Sequence, residues 1–308
     1  MTIILTKPLK ALNYLVTGGA GFIGSHLSNT LNSRGHFVRV LDNLSFGDRG
    51  KLDHDVELIE GDITDKNDCY KATKDIDGVF HMAAFSRSGP SFHKSEVCHE
   101  NNVTGTLNVL DAALDNNVKK IIYSGSSTYY GNTVGSQHES MSGDFLNFYG
   151  LTKHIGELYV AQYERNFGLD YNTLRYFNVY GPGQPSEGEY ALVLGIFLDR
   201  LKKGEKLEIH GSGKQRRDFI HVYDVVEANI KAMQADVSGE IFNIGSGVNH
   251  SILEIAEMFP LDRIHTQRRT GDAEETLADI NKARKLLNWE PKITLHQGLN
   301  DLMNNSRS

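Results

Sequence analysis

Short apolar runs alternate with stretches of helical spacing through the first half of the chain. The runs are rich in residues that favour strands. They are apolar nearly throughout, as expected for strands whose two faces are both covered by helices. Alternation of this kind predicts βαβ units and an α/β fold with a doubly wound, Rossmann-type parallel sheet. The clearest strands are YLVTG, FVRVLDN, VELIEGDI, VFHMAA and KKIIYSGSS.

The pattern changes beyond about residue 176, where glycines and prolines cluster in YGPGQPSEGEY. We expect a large first domain over residues 1–175 and a smaller C-terminal substrate-binding lobe over residues 176–308, with a cleft between them. The chain is expected to return to the first domain around residues 218–245. The elements predicted in this half are the helices LVLGIFLDRLKKG and YDVVEANIKAMQA and the strands KLEIHGSG and EIFNIGSG.

Composition narrows the class of protein. The chain has 308 residues and a net charge of −7, with no stripe of Lys and Arg, so nucleic acid is not an expected partner. Its two cysteines, Cys69 and Cys98, form no CxxC pair, which argues against a disulfide framework and a thiolate metal site. No run in the sequence is typical of a signal peptide or a membrane span. We expect a cytoplasmic protein that binds no metal.

A glycine-rich loop joins the first strand to the first helix in YLVTGGAGFIGSHL. Gly19, Gly21 and Gly24 satisfy the G-x-G-x-x-G spacing, and Gly18 precedes them. Glycines at these positions allow a tight turn, a close approach of the backbone to a pyrophosphate and close packing of the helix on the strand. The spacing alone is a weak signal. Its position in the first βαβ unit favours a dinucleotide site.

Acidic residues follow the next two strands. Asp42 ends the second strand, where a carboxylate binds the hydroxyls of an adenosine ribose and repels a 2′-phosphate. Asp62 and Ile63 follow the third strand, within reach of the edge and face of an adenine. The sequence therefore predicts NAD, rather than NADP, as the cofactor.

Tyr149 and Lys153 lie four positions apart in a stretch whose apolar residues recur at helical spacing up to Gly168. Residues four apart share one face of a helix. A tyrosine acts as a base near neutral pH only if its pKa falls from about 10 toward about 7, which requires roughly 4 kcal/mol. A lysine cation about 4 Å away supplies an interaction of that order at an effective dielectric near 20, and a positive nicotinamide would add to it. The pair is a candidate proton-transfer site, although a half-buried tyrosine beside an exposed lysine would have the same spacing.

A series of motifs spans nearly the whole chain. They are TGGAGFIGSH, LDN, GDI, HMAA, NNVTGTLNVL, YSGSSTYYG, YGLTK, LRYFNVYGPGQ, GSGKQRRDFIHVYDV and RRTGDAEETLADINKARKLLNWEP. In this order they resemble the extended short-chain dehydrogenase/reductase family, and in particular its nucleotide-sugar 4-epimerases. The resemblance implies a tightly bound NAD, a UDP-linked hexose as substrate, and a homodimer formed through two helices of the first domain.

The resemblance also assigns roles to residues of the first domain. Tyr149 is similar to the catalytic base of the family, Lys153 to its partner on the nicotinamide ribose, and Ser126 to the Ser or Thr that bonds the reacting hydroxyl. His81 is expected to be a core histidine. The positions implied in NAD binding are Gly18, Gly21, Phe22, Ile23, Gly24, Asp42, Asn43, Asp62, Ile63, Met82, Ala83, Ala84, Ser86, Asn102, Tyr149, Lys153 and Phe177.

Substrate positions lie mainly in the second half. Asn178 resembles a diphosphate contact, and Arg217 and Arg269 resemble the arginines that hold the nucleotide diphosphate, a role for which a planar guanidinium is suited. Thr276 stands where some epimerases carry a bulky aromatic that excludes N-acetylated sugars, so its small side chain implies room. The implied substrate-binding set is Ser126, Ser127, Thr128, Tyr149, Asn178, Arg217, Arg269, Asp272 and Thr276.

One motif departs from that of related dehydratases and decarboxylases, which carry an acidic residue there. The segment SGSSTYYG offers Ser127 and Thr128 and no carboxylate. This speaks against dehydration and favours 4-epimerisation through a transient 4-keto sugar. Two alternatives stay open: a net reductase or dehydrogenase with exchangeable NAD(P), and a non-catalytic dinucleotide-binding sensor. Arg87 and Ser88 fall beside the expected sugar site and have no assigned role.

Overall fold

The computed structural model describes residues 11–188, 191–267 and 273–305. The strands of these residues form three separate sheets. The strands are β1 (Asn13–Thr17), β2 (Phe37–Asp42), β3 (Glu57–Glu60), β4 (Gly78–His81), β5 (Lys120–Ser126), β6 (Asp170–Tyr176), β7 (Asn178–Tyr180), β8 (Leu207–His210), β9 (Arg216–His221), β10 (Glu240–Ile244), β11 (Asn249–Ser251) and β12 (Arg263–Thr266).

Helices connect most of the strands. A π-helical segment, Glu100–Thr104, joins α4 to α5, so that these two form one continuous rod. The α-helices are α1 (Phe22–Ser33), α2 (Lys66–Thr73), α3 (Ser88–Ser91), α4 (Ser95–His99), α5 (Gly105–Asp115), α6 (Phe148–Phe167), α7 (Val193–Lys203), α8 (Val222–Gln234), α9 (Ile252–Ala256), α10 (Asn281–Leu287) and α11 (Leu295–Asn305).

The main sheet has seven strands in the order β10-β6-β5-β4-β1-β2-β3, and every neighbouring pair is parallel. The predicted α/β fold with a doubly wound parallel sheet is confirmed. Strand β10 returns the chain to this sheet, with Phe242 opposite Leu174 of β6. The smaller sheets are β11-β9-β7 and β12-β8. The domain boundary near residue 175 stays a prediction.

Both faces of the main sheet are buried. Successive residues of one strand point to opposite faces, so Leu15 and Val16 of β1 enter two different apolar clusters, and neither side chain is exposed. Helices α1 and α8 cover the face of Val16, while α2, α5 and α6 cover the face of Leu15. This two-sided burial explains why the strands are apolar throughout. A third apolar cluster, which includes Phe197 and Phe259, forms between residues 180 and 303.

The strand order reverses between β1 and β4, which places a crevice at the carboxyl ends of these strands. The glycine loop after β1 and the loop after β4 meet at this point. Helix α6 approaches the same edge with its first turn. Within the described residues, no helix combines the length and apolar character needed to cross a membrane.

Candidate active site

A cleft of about 1110 Å³ opens at the carboxyl edge of the main sheet and extends to β9. It brings together residues that are far apart in the sequence. Arg269 and Asp272 lie outside the described residues. The predicted positions that line the cleft are Gly18, Gly21, Phe22, Ile23, Gly24, Asp42, Asn43, Asp62, Ile63, Met82, Ala83, Ala84, Ser86, Ser126, Ser127, Thr128, Tyr149, Lys153, Phe177, Asn178, Arg217 and Thr276.

The glycine loop is shaped by close backbone contacts. Gly18 has a φ of 67°, and a Cβ there would lie 2.7 Å from the backbone nitrogen of Ala83. A Cβ on Gly24 would lie 2.2 Å from the carbonyl oxygen of Gly18. Helix α1 begins after Gly21 without any side-chain cap and with no acidic residue in its first turn. Its first N–H groups are therefore available to an anion, and the loop fits the pyrophosphate of a dinucleotide.

Asp42 ends β2 beside this loop. Its Oδ2 accepts a hydrogen bond from the backbone of Ala20 at 3.0 Å, and its Oδ1 accepts one from Leu44 at 2.9 Å. Asn43 donates to Asp62 at 2.7 Å. Burial works to raise the pKa of Asp62, but hydrogen bonds from Thr64 and Asn43 outweigh it and hold that pKa below its ordinary value. Two carboxyl groups, those of Asp42 and Asp62, thus lie at the glycine-loop end of the cleft.

Tyr149 lies in the first turn of α6, and a helix cap and two contacts of Tyr149 itself hold this turn in place. Asn147 caps the helix by accepting a hydrogen bond from Gly150 at 2.9 Å. The backbone nitrogen of Tyr149 donates to Ser91 of α3 at 3.2 Å. Its side chain is hydrogen-bonded to Ser126, which ends β5. The predicted tyrosine and serine therefore meet in the cleft.

Lys153 is buried one helical turn after Tyr149, with 3 % of its surface exposed. Its Nζ lies 4.4 Å from the centre of the Tyr123 ring, and the Tyr123 hydroxyl donates to the Lys153 carbonyl at 3.1 Å. Burial lowers the pKa of Lys153 to about 8, against the effect of Glu157 and Cys98, which raise it. The alternative of an exposed, solvated lysine is excluded.

The pKa of Tyr149 differs from the sequence-based expectation. Burial raises it above the ordinary tyrosine value, while the hydrogen bond with Ser126 and the nearby Arg87 cation lower it, and Cys98 raises it. The expected value near 7 depended on Lys153 together with a positive nicotinamide. In the protein without a bound nicotinamide, burial has the largest effect on the Tyr149 pKa. Arg87, which the sequence left without a role, is a second cation that favours the tyrosinate.

Ser126 also organises the turn that follows it. Its Oγ accepts hydrogen bonds from the backbone nitrogen of Thr128 at 3.3 Å and from the Thr128 hydroxyl at 2.8 Å. Ser127 and Thr128 line the cleft here and contribute no carboxylate. Among the described residues that line the cleft, the carboxylates are Asp42, Asp62 and Glu208, and Glu208 pairs with Arg200 at 3.2 Å.

The substrate-side residues converge around β7 and β9. Asn178 donates to the Asp218 carbonyl at 3.0 Å and to the Thr276 hydroxyl at 3.1 Å, and the same hydroxyl accepts a bond from the Asp218 backbone. Thr276 is therefore more than a small side chain that leaves room, since its hydroxyl positions Asn178. Arg217 lines the cleft and donates to the Arg216 carbonyl at 2.8 Å.

Asn102 is the predicted cofactor residue that does not line the cleft. It is 1 % exposed, accepts a hydrogen bond from the backbone of Phe85 at 2.7 Å and donates one back at 3.0 Å. It also donates to Thr152 of α6 at 2.9 Å. Asn102 thus ties the loop after β4 to α6 from behind. The sequence motif identifies Asn102 as part of the site, but it cannot show whether the side chain contacts the cofactor or supports the residues that do.

His81 is the core histidine that the sequence predicts. It bonds the hydroxyls of Thr17 at 2.7 Å and Thr106 at 3.0 Å, and burial lowers its pKa to about 3. No group of three or more His, Cys, Asp or Glu side chains within the described ranges has a geometry that could hold a metal ion.

Comparison with known proteins agrees with this geometry. The sequence model of the NAD dependent epimerase/dehydratase family matches residues 14–245. The chain belongs to the NAD-dependent epimerase/dehydratase family. Its cofactor is accordingly NAD, which confirms the prediction from the glycine loop and Asp42.

Relatives in this epimerase/dehydratase family are named for different UDP-sugars. The UDP-glucuronate 4-epimerase of Thermodesulfobacterium geofontis is 33% identical over 319 residues, with 96% of each chain covered. The UDP-glucose 4-epimerase of Thermotoga maritima, solved with UDP-glucose, has a TM-score of 0.93 at 34% identity, covering 96% of this chain and 99% of that one. The UDP-glucose 4-epimerase of Thermus thermophilus, solved with NAD, has a TM-score of 0.91 at 30% identity, covering 96% and 99%.

Sequence reasoning missed the residues that support this family site from behind. Glu157 and Arg175 form a buried ion pair below Lys153, and Ser91 holds the backbone of Tyr149. Glu157 carried a usable signal, because it lies four positions after Lys153 and so shares its helical face. Arg175 and Ser91 carried none that periodicity could detect, since each reaches the site only through tertiary contacts.

Proposed function

We propose that the protein catalyses the reversible 4-epimerisation of a UDP-linked hexose through a transient 4-keto sugar, with NAD retained through turnover. One observation carries the proposal: Tyr149, hydrogen-bonded to Ser126 and followed by the buried Lys153, lies in the cleft that the glycine loop also lines. The family relatives supply the chemical class, because several are named as UDP-sugar 4-epimerases.

Each group has one task in the proposed reaction. Tyr149, as tyrosinate, takes the proton of the sugar 4-hydroxyl, which Ser126 holds by a hydrogen bond, and later returns it. Lys153 supplies the positive charge that stabilises the tyrosinate, and it would bond the nicotinamide ribose of NAD. NAD held by these residues would supply a hydride acceptor and donor for the sugar carbon. The net redox change is zero.

Other residues hold the two ligands in place. The glycine loop and Asp42 would bind the pyrophosphate and adenosine ribose of NAD. Asn178 and Arg217 would bind the diphosphate of the sugar nucleotide, and Thr276 orients Asn178. Held at its diphosphate, a keto sugar would be free to turn within the cleft.

Within the described residues, the turn that follows Ser126 carries no acid, and this favours epimerisation over dehydration. Elimination from a keto sugar requires a further proton donor, and Ser127 and Thr128 occupy the turn where such a group would act. Of the three cleft carboxylates in the described chain, Asp42 and Asp62 lie at the glycine-loop end, and Glu208 pairs with Arg200.

A substrate panel tests the proposal. The purified protein is incubated with UDP-galactose, UDP-N-acetylgalactosamine and UDP-galacturonate without added cofactor, and products are followed by NMR. We expect conversion of at least one sugar to its C4 epimer with no net NADH. Stoichiometric NADH without any C4 epimer would instead support the dehydrogenase alternative.

Tyr149→Phe separates the enzyme from a dinucleotide-binding sensor. The substitution removes the proton acceptor and leaves the ring, so we expect turnover to fall by about 100-fold or more, while NAD stays bound. Retained NAD is measured by its absorbance after denaturation of the purified variant. Unchanged epimerisation by Tyr149→Phe would remove the assigned role of this residue.

A further inference from the structure

A buried ion pair lies directly behind the proposed proton-transfer site. Glu157 follows Lys153 by one turn of α6 and shares its face, with 4 % of its surface exposed. Arg175 of β6 is 1 % exposed and binds Glu157 through two bonds, from Nε at 3.0 Å and from Nη2 at 2.7 Å. This bidentate geometry fixes the carboxylate in one orientation.

The pair is itself held on several sides. The Arg175 guanidinium lies 3.5 Å from the centre of the Tyr129 ring and donates to the Tyr130 hydroxyl at 3.0 Å. His154 bonds the same carboxylate at 3.2 Å. Burial works to raise the pKa of Glu157, but the bonds from His154 and Arg175 hold it below its ordinary value, so Glu157 is ionised at neutral pH.

The strand that carries Ser126 leaves space for this pair. A Cβ on Gly125 would lie 2.8 Å from Glu157 Oε1 and 3.1 Å from Arg175 Cγ. Any larger residue at Gly125 would displace the carboxylate from its place below Lys153. The ion pair of Glu157 and Arg175 thus packs against β5, which carries Ser126, and belongs in part to α6, which carries Lys153.

Stability alone gives little reason for such a pair, because replacing a buried ion pair by apolar residues is often neutral or stabilising. The effect of the ion pair on Lys153 explains its presence better than stability does. Lys153 is a fully buried cation, and burial disfavours its charged form. A fixed carboxylate one turn away opposes this, and Arg175 keeps that carboxylate ionised.

The other groups that face Lys153 cannot replace Glu157. Burial raises the pKa of the Cys98 thiol on α4 and that of the Tyr123 hydroxyl on β5, and it lowers the pKa of His81 on β4 to about 3, so all three are neutral near pH 7. Burial also raises the pKa of Tyr149, on the same helix, so in the ligand-free protein it is neutral near pH 7 as well. Arg87 is a cation near Tyr149.

We propose that Glu157, locked in place by Arg175, is a positioning residue that keeps Lys153 charged and fixed toward the cleft. This inference rests on the proposed function only for the role of Lys153 in turnover. The charge of Lys153 in the ligand-free protein can be measured without any reaction.

The experiment is an NMR titration of protein labelled with ¹³C at lysine Cε, with Lys153→Met used to assign the signal. In Glu157→Gln we expect Lys153 to lose its proton at a pH lower by about one unit or more than in the wild type. The alkaline limb of kcat should move down by the same amount. Glu164→Gln, seven positions further along α6, is the matched control and should leave the titration unchanged.

Glu157→Gln leaves Arg175 as an unpaired buried cation, which is strongly destabilising. The double variant Glu157→Gln with Arg175→Met removes both charges, so it should fold and still show the lowered titration of Lys153. Titration of Lys153 at the wild-type pH in either folded variant would overturn the inference. A lowered titration in a protein that epimerises no sugar would instead refute the proposed function and leave this inference standing.

Discussion

At the scale of single residues, the charges around Tyr149 control its proton chemistry. The Arg87 cation favours the tyrosinate against the effect of burial. Removing a cation beside this group disfavours its charged form and raises its pKa. For Arg87→Met we therefore expect the acid limb of kcat, which reports loss of the Tyr149 proton, to move to higher pH by about half a unit to one unit. The measurement is kcat as a function of pH with an accepted UDP-sugar.

Arg87→Lys is the control for this prediction, because it keeps the positive charge at the same position. It should retain most of the wild-type profile. Equal displacement of the acid limb in both variants would show that the shape of Arg87, and not its charge, affects Tyr149.

The residue scale also shows where sequence reasoning reached its limit. The spacing of Tyr149 and Lys153 predicted a shared helical face, and the glycine spacing predicted the dinucleotide loop. The pKa of Tyr149 could not be predicted, because burial and the position of Arg87 depend on how α3 packs against α6. The hydroxyl contact between Thr276 and Asn178 joins positions 98 apart, and no local pattern encodes it.

At the scale of elements, α6 packs closely on β5 because Gly156 has no side chain. A Cβ there would lie 2.0 Å from the Tyr123 hydroxyl. Gly156→Ala must therefore displace Tyr123, and we expect the free energy of unfolding to fall by about 1–3 kcal/mol despite the better helix propensity of alanine. Urea denaturation followed by circular dichroism measures the change.

Gly89→Ala provides the comparison. A Cβ on Gly89 meets no atom within 4 Å, so the free energy of unfolding should change little or rise slightly. A loss in Gly156→Ala no larger than that in Gly89→Ala would contradict the packing argument.

Elements with apolar periodicity were predicted more completely than those without it. Helix α6, with its end at Gly168 in the left-handed conformation, is confirmed, as are β1 to β5. Strand β6 carries no clear pattern because it buries polar residues with specific partners. Asn172, for example, donates to two backbone carbonyls, and Arg175 binds Glu157. Polar side chains can be buried when bonded, which a hydrophobic pattern does not reveal.

At the scale of the whole molecule, α6 turns an apolar stripe outward. Leu151 and Leu158 are 39% and 57% exposed, and they are seven positions apart on one face. We expect two copies of the chain to pair through this face, as the family resemblance implied. Leu158→Glu places a charge on the more exposed residue of the stripe and should shift the protein from dimer to monomer in light scattering coupled to size exclusion.

Val248→Glu is the matched control, since Val248 is 56% exposed and lies between β10 and β11 rather than on α6. It should keep the wild-type mass. A wild-type chain that is monomeric at tens of micromolar, or a dimer that persists in Leu158→Glu, would rule out this face as the contact.

The sequence by itself determined the fold class, the dinucleotide loop, the cofactor and the tyrosine and lysine pair, because each depends on local spacing or on periodic burial along one segment. The tertiary structure alone decided which side chains support that pair. It placed Arg175 of β6 against Glu157 of α6, brought Arg87 to Tyr149, and set Asn102 behind the cleft rather than in it. These relations cross segments far apart in the chain, so their distances and burial exist only once the sheet has formed.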